Sequence, residues 1–418
     1  MFLPSLTVLA SLALLTLSTD QVNAQTTSPT VTGPISTVPT GGLSPPLPPP
    51  GPSPSTAGFA DFSYIDGQVL YLGDGTYSGN QHMFTFVSEF YALDLTTAWT
   101  TASPAWKSLN RLTDYSGMGN GPLAATPDGK SVFFFPVSGT RRYDVATNQY
   151  TNETFVDLPT NYGISGITMD TDSGQIYDYG YSTPTGDWNI TVFDPVKNTA
   201  SYQTLPDGPN ENTTMTTVYS SAKKSLFTFK APYVTGVSQL NQYDLVAKTF
   251  KPVVATGDIP SPRSMPCFVS ANNGTKLIVA GGAMDVSGNP GSVIPNLALD
   301  DVYMLDVASM VWTKMASMPS KYYGAVCAAS GDSFIIWGGY NIYSSDQWEV
   351  TANWGGPAIL DMKANTWGTS YTPPSKTTTG GNSGSSGGGS GNGALGLSAK
   401  SSMAGFLAIT AATLSLIM

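Results

Sequence analysis

The chain has 418 residues, 41% apolar and only 11% charged, with 44 Gly and 31 Pro. That much Gly and Pro excludes a helical bundle, and its lack of a three-residue period excludes collagen. The net charge of −10 has the wrong sign for a phosphate-backbone binder, so no nucleic acid is expected as a partner; two Cys cannot build a disulfide-dense scaffold, and a single His removes most His-based metal and catalytic sites.

The chain opens with an apolar run from Phe2 to Leu17 that turns polar and ends Val22-Asn23-Ala24. A short apolar core followed by small residues three and one before a cut reads as a secretory signal peptide over 1–24. Residues 25–57 are rich in Pro, Ser and Thr and end in Pro45-Pro46-Leu47-Pro48-Pro49-Pro50 before the first apolar strands. Such a segment cannot bury enough apolar surface to fold and is expected to be disordered and extended.

Residues 58–372 carry a repeat. A short apolar strand ending in Asp recurs at Asp94, Asp144, Asp194, Asp244, Asp306 and Asp361, with steps of 50, 50, 50, 62 and 55. An Asp at a strand end can accept backbone N–H groups two residues on and close a tight turn. Six positions after the Asp comes Tyr150, Phe250, Trp312 or Trp367; repeat one offers Trp99 or Trp106 instead, and repeat three offers Tyr202. The expected use of that ring is packing between neighbouring sheets. Upstream, β-runs end in small residues, as in Val279-Ala280-Gly281-Gly282 and Ile336-Trp337-Gly338-Gly339, with Gly73-Asp74-Gly75 and Tyr179-Gly180 as weaker versions. Six four-stranded units arranged around an axis would bury faces that none can bury alone.

Double Gly, Tyr or Leu before Asp, and a following Trp, in that order, resemble the kelch family of β-propellers. The resemblance implies an all-β, six-bladed kelch-type propeller whose usual role is binding. With the signals at both ends, the chain looks like the secreted or GPI-anchored kelch proteins of fungi. Related propellers occur in copper-radical oxidases resembling galactose oxidase, which need two His, two Tyr and a Cys; His82 alone cannot furnish both copper nitrogens. A Ser-His-Asp triad would rest on the same His. No cofactor, metal or catalytic residue is therefore expected. A carbohydrate-active or oxidase-like enzyme and a purely structural wall protein stand as alternative functions. Asp285, Asp300 and Asp301 share one link but lack the spacing of a calcium loop and read as solvated acids. Cys267 and Cys327 take equivalent places in the first strands of adjacent repeats, which leaves a disulfide and two buried thiols equally open.

The link from the second strand to the marker Asp is long in three repeats: 21 residues from Gly73, 24 from Gly282 and 22 from Gly339, against 9, 14 and 14 in repeats two, three and four. Repeats five, six and one become neighbours if the ring closes, so their long links should rise from one sector of one face. Long loops on a rigid scaffold are where binding concentrates. Tyr340, Tyr343, Trp348 and Trp354 of repeat six and Tyr77, His82 and Phe84 of repeat one are the candidate ligand-binding residues. Rings beside amides suit a wall polysaccharide or an extracellular protein. The sequons Asn152, Asn189, Asn212 and Asn273 lie outside the three links and are expected to carry N-glycans.

Residues 373–392 form a Gly/Ser-rich stalk. Asn392-Gly393-Ala394, a polar spacer and the apolar tail Met403–Met418 then read as a GPI-attachment signal. Asn392 is the expected attachment residue and 393–418 the removed propeptide. The address is the cell surface through the secretory pathway, with the membrane reached only through the lipid; a single-pass tail or release into the medium is the alternative.

Overall fold

The computed structural model describes residues 53–54, 61–65, 69–79, 83–110, 123–135, 139–156, 166–181, 188–205, 215–230, 239–284, 297–344, 347–350 and 356–375. The expected signal peptide, the 25–57 tether apart from residues 53–54, the stalk beyond Ser375 and the GPI signal lie outside these residues. Every regular element among the described residues is a β-strand.

The marker Asp closes the third strand of the sheet in each of the six repeats: Met83–Asp94, Arg141–Asp144, Trp188–Asp194, Gln239–Asp244, Val302–Asp306 and Ala358–Asp361. Its carboxylate then accepts the N–H two or three residues on. Asp94 takes Thr96 N at 2.7 Å, Asp144 takes Thr147 N at 2.8 Å and Asp306 takes Ser309 N at 2.8 Å. Asp194, Asp244 and Asp361 each take both, at 2.8–3.1 Å. The fourth residue after the Asp adopts the left-handed conformation in five repeats, at Asn148, Asn198, Lys248, Met310 and Asn365. The turn was thus readable from local sequence, because its hydrogen bonds close within four residues.

Each repeat forms an antiparallel meander in which the first to fourth strands are neighbours in order. The expectation of six blades is corrected: five sheets are regular four-stranded blades, and the sheet of repeat five departs from that form with five strands. Its extra strand, Thr256–Gly257, pairs parallel to the outer strand Val311–Lys314. Gly257 is required there, because with φ 83° a Cβ would sit 2.2 Å from the Trp312 carbonyl oxygen. Repeat three uses a shorter form of the same device, a single parallel bridge between Val156 and Thr199.

The rings pack between sheets as expected, and register decides which ring takes the place. Tyr143 faces Tyr150, Tyr243 faces Phe250, Leu305 faces Trp312 and Leu360 faces Trp367. In repeat one the equivalent pair is Leu93 and Trp106, so Trp106, not Trp99, is the repeat aromatic. Trp106 meets Trp337 of repeat six edge to face at 5.8 Å. In repeat three the expectation fails: Tyr202 is 59% exposed, and Ala200 faces Phe193 instead. Phe155, from the link after repeat two, fills the space, with its ring 5.0 Å from Phe193.

Trp99 has a different task. Its short strand Trp99–Thr100 pairs with Ser370–Tyr371, beyond the last sheet, and its ring stacks on Tyr371 at 4.9 Å. The buried Tyr371 hydroxyl donates to Leu95 O at 2.7 Å and lies 2.7 Å from Ser330 Oγ. Leu93, Leu95 and Trp99 share one apolar cluster with Ala328, Ile335, Ile359 and Tyr371, which joins repeat six to repeat one. Cys267 and Cys327, both buried, form a disulfide across the first strands of repeats five and six with Cα atoms 6.0 Å apart.

Candidate functional site

The described residues of the three long links form β-ribbons. In repeat one, the strands Val69–Gly79 and Met83–Asp94 simply run on as a hairpin, with a bulge between Gly73 and Gly75 where the ribbon leaves the sheet. Repeats five and six break the sheet first. Gly281 and Gly282 have φ of 60° and 87°, and Gly338 and Gly339 have 69° and 88°. A Cβ at Gly282 would meet Ser264 O at 2.7 Å, so only Gly lets the chain turn out past its neighbour. Separate ribbons follow: Ala283–Met284 with Leu297–Ala298, and Tyr340–Ser344 with Gln347–Val350.

These ribbons meet. Leu297–Ala298 of repeat five lies against Tyr340–Ser344 of repeat six, and Gln347–Val350 of repeat six lies against Val69–Gly79 of repeat one. The contiguous sector expected from ring closure is therefore present in the backbone.

The structure places five of the seven candidate residues on two touching ribbons. Tyr77 is paired with Thr85, and Phe84 with Ser78. Tyr340 is paired with Val350 and Trp348 with Ile342, while Tyr343 falls at the irregularity between Ile342 and Ser344. His82 and Trp354 lie outside the described residues.

Beneath the repeat-five ribbon sits a group that sequence reasoning missed. Arg263 is 2% exposed, the largest fully buried side chain described. Its guanidinium holds both Asp301 carboxylate oxygens and donates to Gly281 O at 3.0 Å. Nε donates to Ser261 O and Nη2 to Ser261 Oγ, each at 3.0 Å, and the cation lies 5.3 Å from the Tyr303 ring centre. Gly281 and Asp301 are the two feet of the link, so one planar fork pins both. Burial of the Tyr303 phenol, with Asp301 beside it, pushes its pKa up. Asp301 is accordingly not a solvated acid: it is the counter-ion of Arg263, with its side chain only 15% exposed. Partners 38 residues apart leave no local signal; the only hint is a lone Arg beside an acidic link.

The opposite end of the sheets carries the turns between first and second and between third and fourth strands. A cleft of about 610 Å³ opens there under repeat six, lined by Asp332, Asp361, Thr366, Thr369 and Ser370, with Asn272 of repeat five at its rim. Among the described sequons, Asn152 and Asn273 are exposed and Asn189 is half-buried in a middle strand. Asn212 lies outside the described residues. None of the four belongs to a ribbon.

No family model matches the chain, and no curated protein matches it. Solved structures do: 700 chains match. One of them, titled "Structure of YjhT", aligns with a TM-score of 0.54 at 13% identity, covering 76% of this chain and 99% of that one. At that identity the likeness is one of fold, and together with the sheets described above it makes this chain an all-β propeller.

Proposed function

We propose that the chain is a surface-displayed, six-bladed kelch-type propeller that binds an extracellular protein or a wall polysaccharide through its three-ribbon sector, without catalysis. The observation that carries the reading is the meeting of the ribbons from repeats five, six and one. Only these repeats have long links, and their ribbons form one surface that the sequons leave bare. Apolar clusters between successive sheets, and from repeat six back to repeat one, support counting the five-stranded sheet as the sixth blade. The double Gly, marker Asp and Trp of repeats five and six support the kelch assignment.

The test is Trp348→Ala, with Trp354→Ala beside it, against ligands captured on a glycan array or from extracellular protein pools. Loss of a buried aromatic anchor costs about 2 kcal/mol, or roughly thirtyfold in Kd. The expected result is that loss with the melting temperature nearly unchanged. A melting temperature lowered by many degrees with binding intact would make these rings part of the fold and remove the sector as a site.

The address is part of the proposal. The mature chain begins at Gln25 and ends at Asn392 on a glycolipid. Phospholipase release followed by mass spectrometry of both termini tests it, and an intact 403–418 tail in the released protein would refute it.

A further inference from the structure

We propose that the cleft beneath repeat six seats the first sugars of an N-glycan carried on Asn273. The inference rests on the secretory address proposed above and adds a sugar-binding site at the end of the sheets away from the ribbons. Asn273-Gly274-Thr275 is a complete sequon in the turn between Cys267–Ala271 and Lys276–Ala280, and Asn273 is exposed. Repeat four pins one side of this turn: Ser221 Oγ and Ser220 Oγ donate to the Asn273 and Gly274 carbonyls, at 2.5 and 2.6 Å. Only Gly fits at 274, with φ 76°, because a Cβ there would run into the Ser221 backbone. The other side of the turn reaches the cleft, for Asn272, the neighbour of the sequon Asn, is part of the cleft wall.

The cleft suits a neutral chain rich in hydroxyls. Its volume of about 610 Å³ falls within the range of small-ligand pockets, about 300–1,000 Å³. One wall is the lower end of the repeat-six sheet, with Asp332, Thr366, Thr369 and Ser370; the other is the segment Thr372–Ser375. That segment crosses back over the turn between the first and second strands of repeat six: Gly331 has φ 57°, and a Cβ there would lie 2.9 Å from Pro374 Cβ. The side-chain oxygens can hydrogen-bond sugar hydroxyls and acetamido groups, and Ile359 and Pro374 offer apolar surface to the C–H faces of the rings. Asp361 is already engaged by the Lys363 and Ala364 N–H groups, which leaves Asp332 as the carboxylate facing a ligand. Among the described residues that line the cleft there is no Lys or Arg, which disfavours an anionic occupant.

Covalent attachment lets weak contacts suffice. In glycosylation the Asn273 side-chain nitrogen bonds to the sugar C1, the bond from C1 to the lipid pyrophosphate donor breaks, and the amide proton passes to solvent. A ligand tethered this closely has an effective concentration in the millimolar range, so a Kd of about 0.1 mM keeps it seated roughly nine-tenths of the time. Seated sugars would touch repeat five at Asn272, the repeat-six sheet and Thr372–Ser375 together. They would thereby hold the root of the Gly/Ser-rich stalk against the propeller.

The experiment uses the whole secreted chain from a eukaryotic host. Peptide N-glycosidase releases sugar from the native protein, and peptide mass spectrometry follows Asn273 and Asn152 separately. Asn152 is exposed at the end of an outer strand and takes no part in the cleft. Release at Asn273 should be about tenfold slower than at Asn152, and the two should be alike after denaturation. Gly368→Tyr fills the cleft, because Gly368 lines it and a Cβ there would meet nothing within 4 Å. In that variant, and in Asp332→Arg at the exposed rim, the two native rates should fall within about twofold of each other. Asn273→Gln should speed hydrogen exchange in the peptide 366–375 severalfold. Equal native rates at the two sites, slow release at Asn273 that persists in both cleft variants, or unchanged exchange in Asn273→Gln overturns the inference. Sugar at Asn152 but not at Asn273 also overturns it and leaves the secretory address standing; absence of sugar at both sites overturns the two together.

Discussion

Repeats five and six differ from repeats two to four in how they use the same meander. The first pair has double Gly at the ends of the second strands, a Trp in each outer strand, a disulfide between inner strands and ribbons that leave the sheet. Repeats two to four have short links, no ribbon among the described residues, and cores completed by Tyr, Phe or a borrowed Phe155. The pair that projects long links also carries a disulfide and a buried Arg263–Asp301 ion pair near its base. Long loops are useful for recognition only when their feet are fixed. Here the feet are fixed by Arg263, the glycines and Cys267–Cys327.

The largest test of that contrast is the outer-strand ring. Trp312→Ala should destabilise the propeller by about 3–5 kcal/mol, because Trp312 packs among Phe227, Phe229, Leu240, Phe268 and Leu305. Tyr202→Ala, at the position where the repeat suggested a ring, should change stability by less than about 0.5 kcal/mol. Denaturant unfolding of the two variants separates them, and equal effects would erase the distinction between the repeats. Next in size is the disulfide. It closes a loop of sequence separation 60, for which chain-entropy arguments give about 4 kcal/mol. The Cys267→Ser/Cys327→Ser variant should melt many degrees lower; an unchanged melting curve would show that packing alone holds these strands.

Acid should also distinguish the repeats. The Asp306 carboxyl is held well below its ordinary value, first by the hydrogen bond from Lys276 and then by Ser309. Asp244 is lowered too, chiefly by the Ala247 and Val246 N–H groups. A carboxyl whose folded pKa is depressed adds stability above its unfolded pKa, near 4, and loses it as pH falls toward the folded value. Stability should therefore decline below about pH 4, and Asp306→Asn should flatten that decline more than Asp244→Asn. The reverse order in acid titrations monitored by fluorescence would contradict it. The smallest effect is at the turns. Repeats two, three and six place Asn in the left-handed position, whereas repeat four places Lys248 there with φ 57°. Lys248→Asn should stabilise by about 0.5–1 kcal/mol, read as a small rise in denaturation midpoint.

What could be read in advance divides along sequence separation. The Asp turns, the strand that each ends and the rings of repeats two, four, five and six follow from residues at most six apart, and all stand where the spacing put them. The neighbouring of three long links followed from their lengths once ring closure was assumed. Trp99 and Trp106 could not be told apart in sequence, because only the register with Leu93 distinguishes a core ring from the ring that stacks on Tyr371.

The sequence by itself determined the period, the all-β class, the turn chemistry and which links are long, because local hydrogen bonding and strand alternation act within a few residues. Tertiary structure alone decided four other things: the fifth strand of repeat five, Phe155 standing in for a missing ring, the bonding of Cys267 to Cys327, and Arg263 holding Asp301. Each depends on which distant surfaces are brought together and on the cost of leaving a cavity, an edge or a buried charge without its partner, a cost that exists only once the sheets have packed.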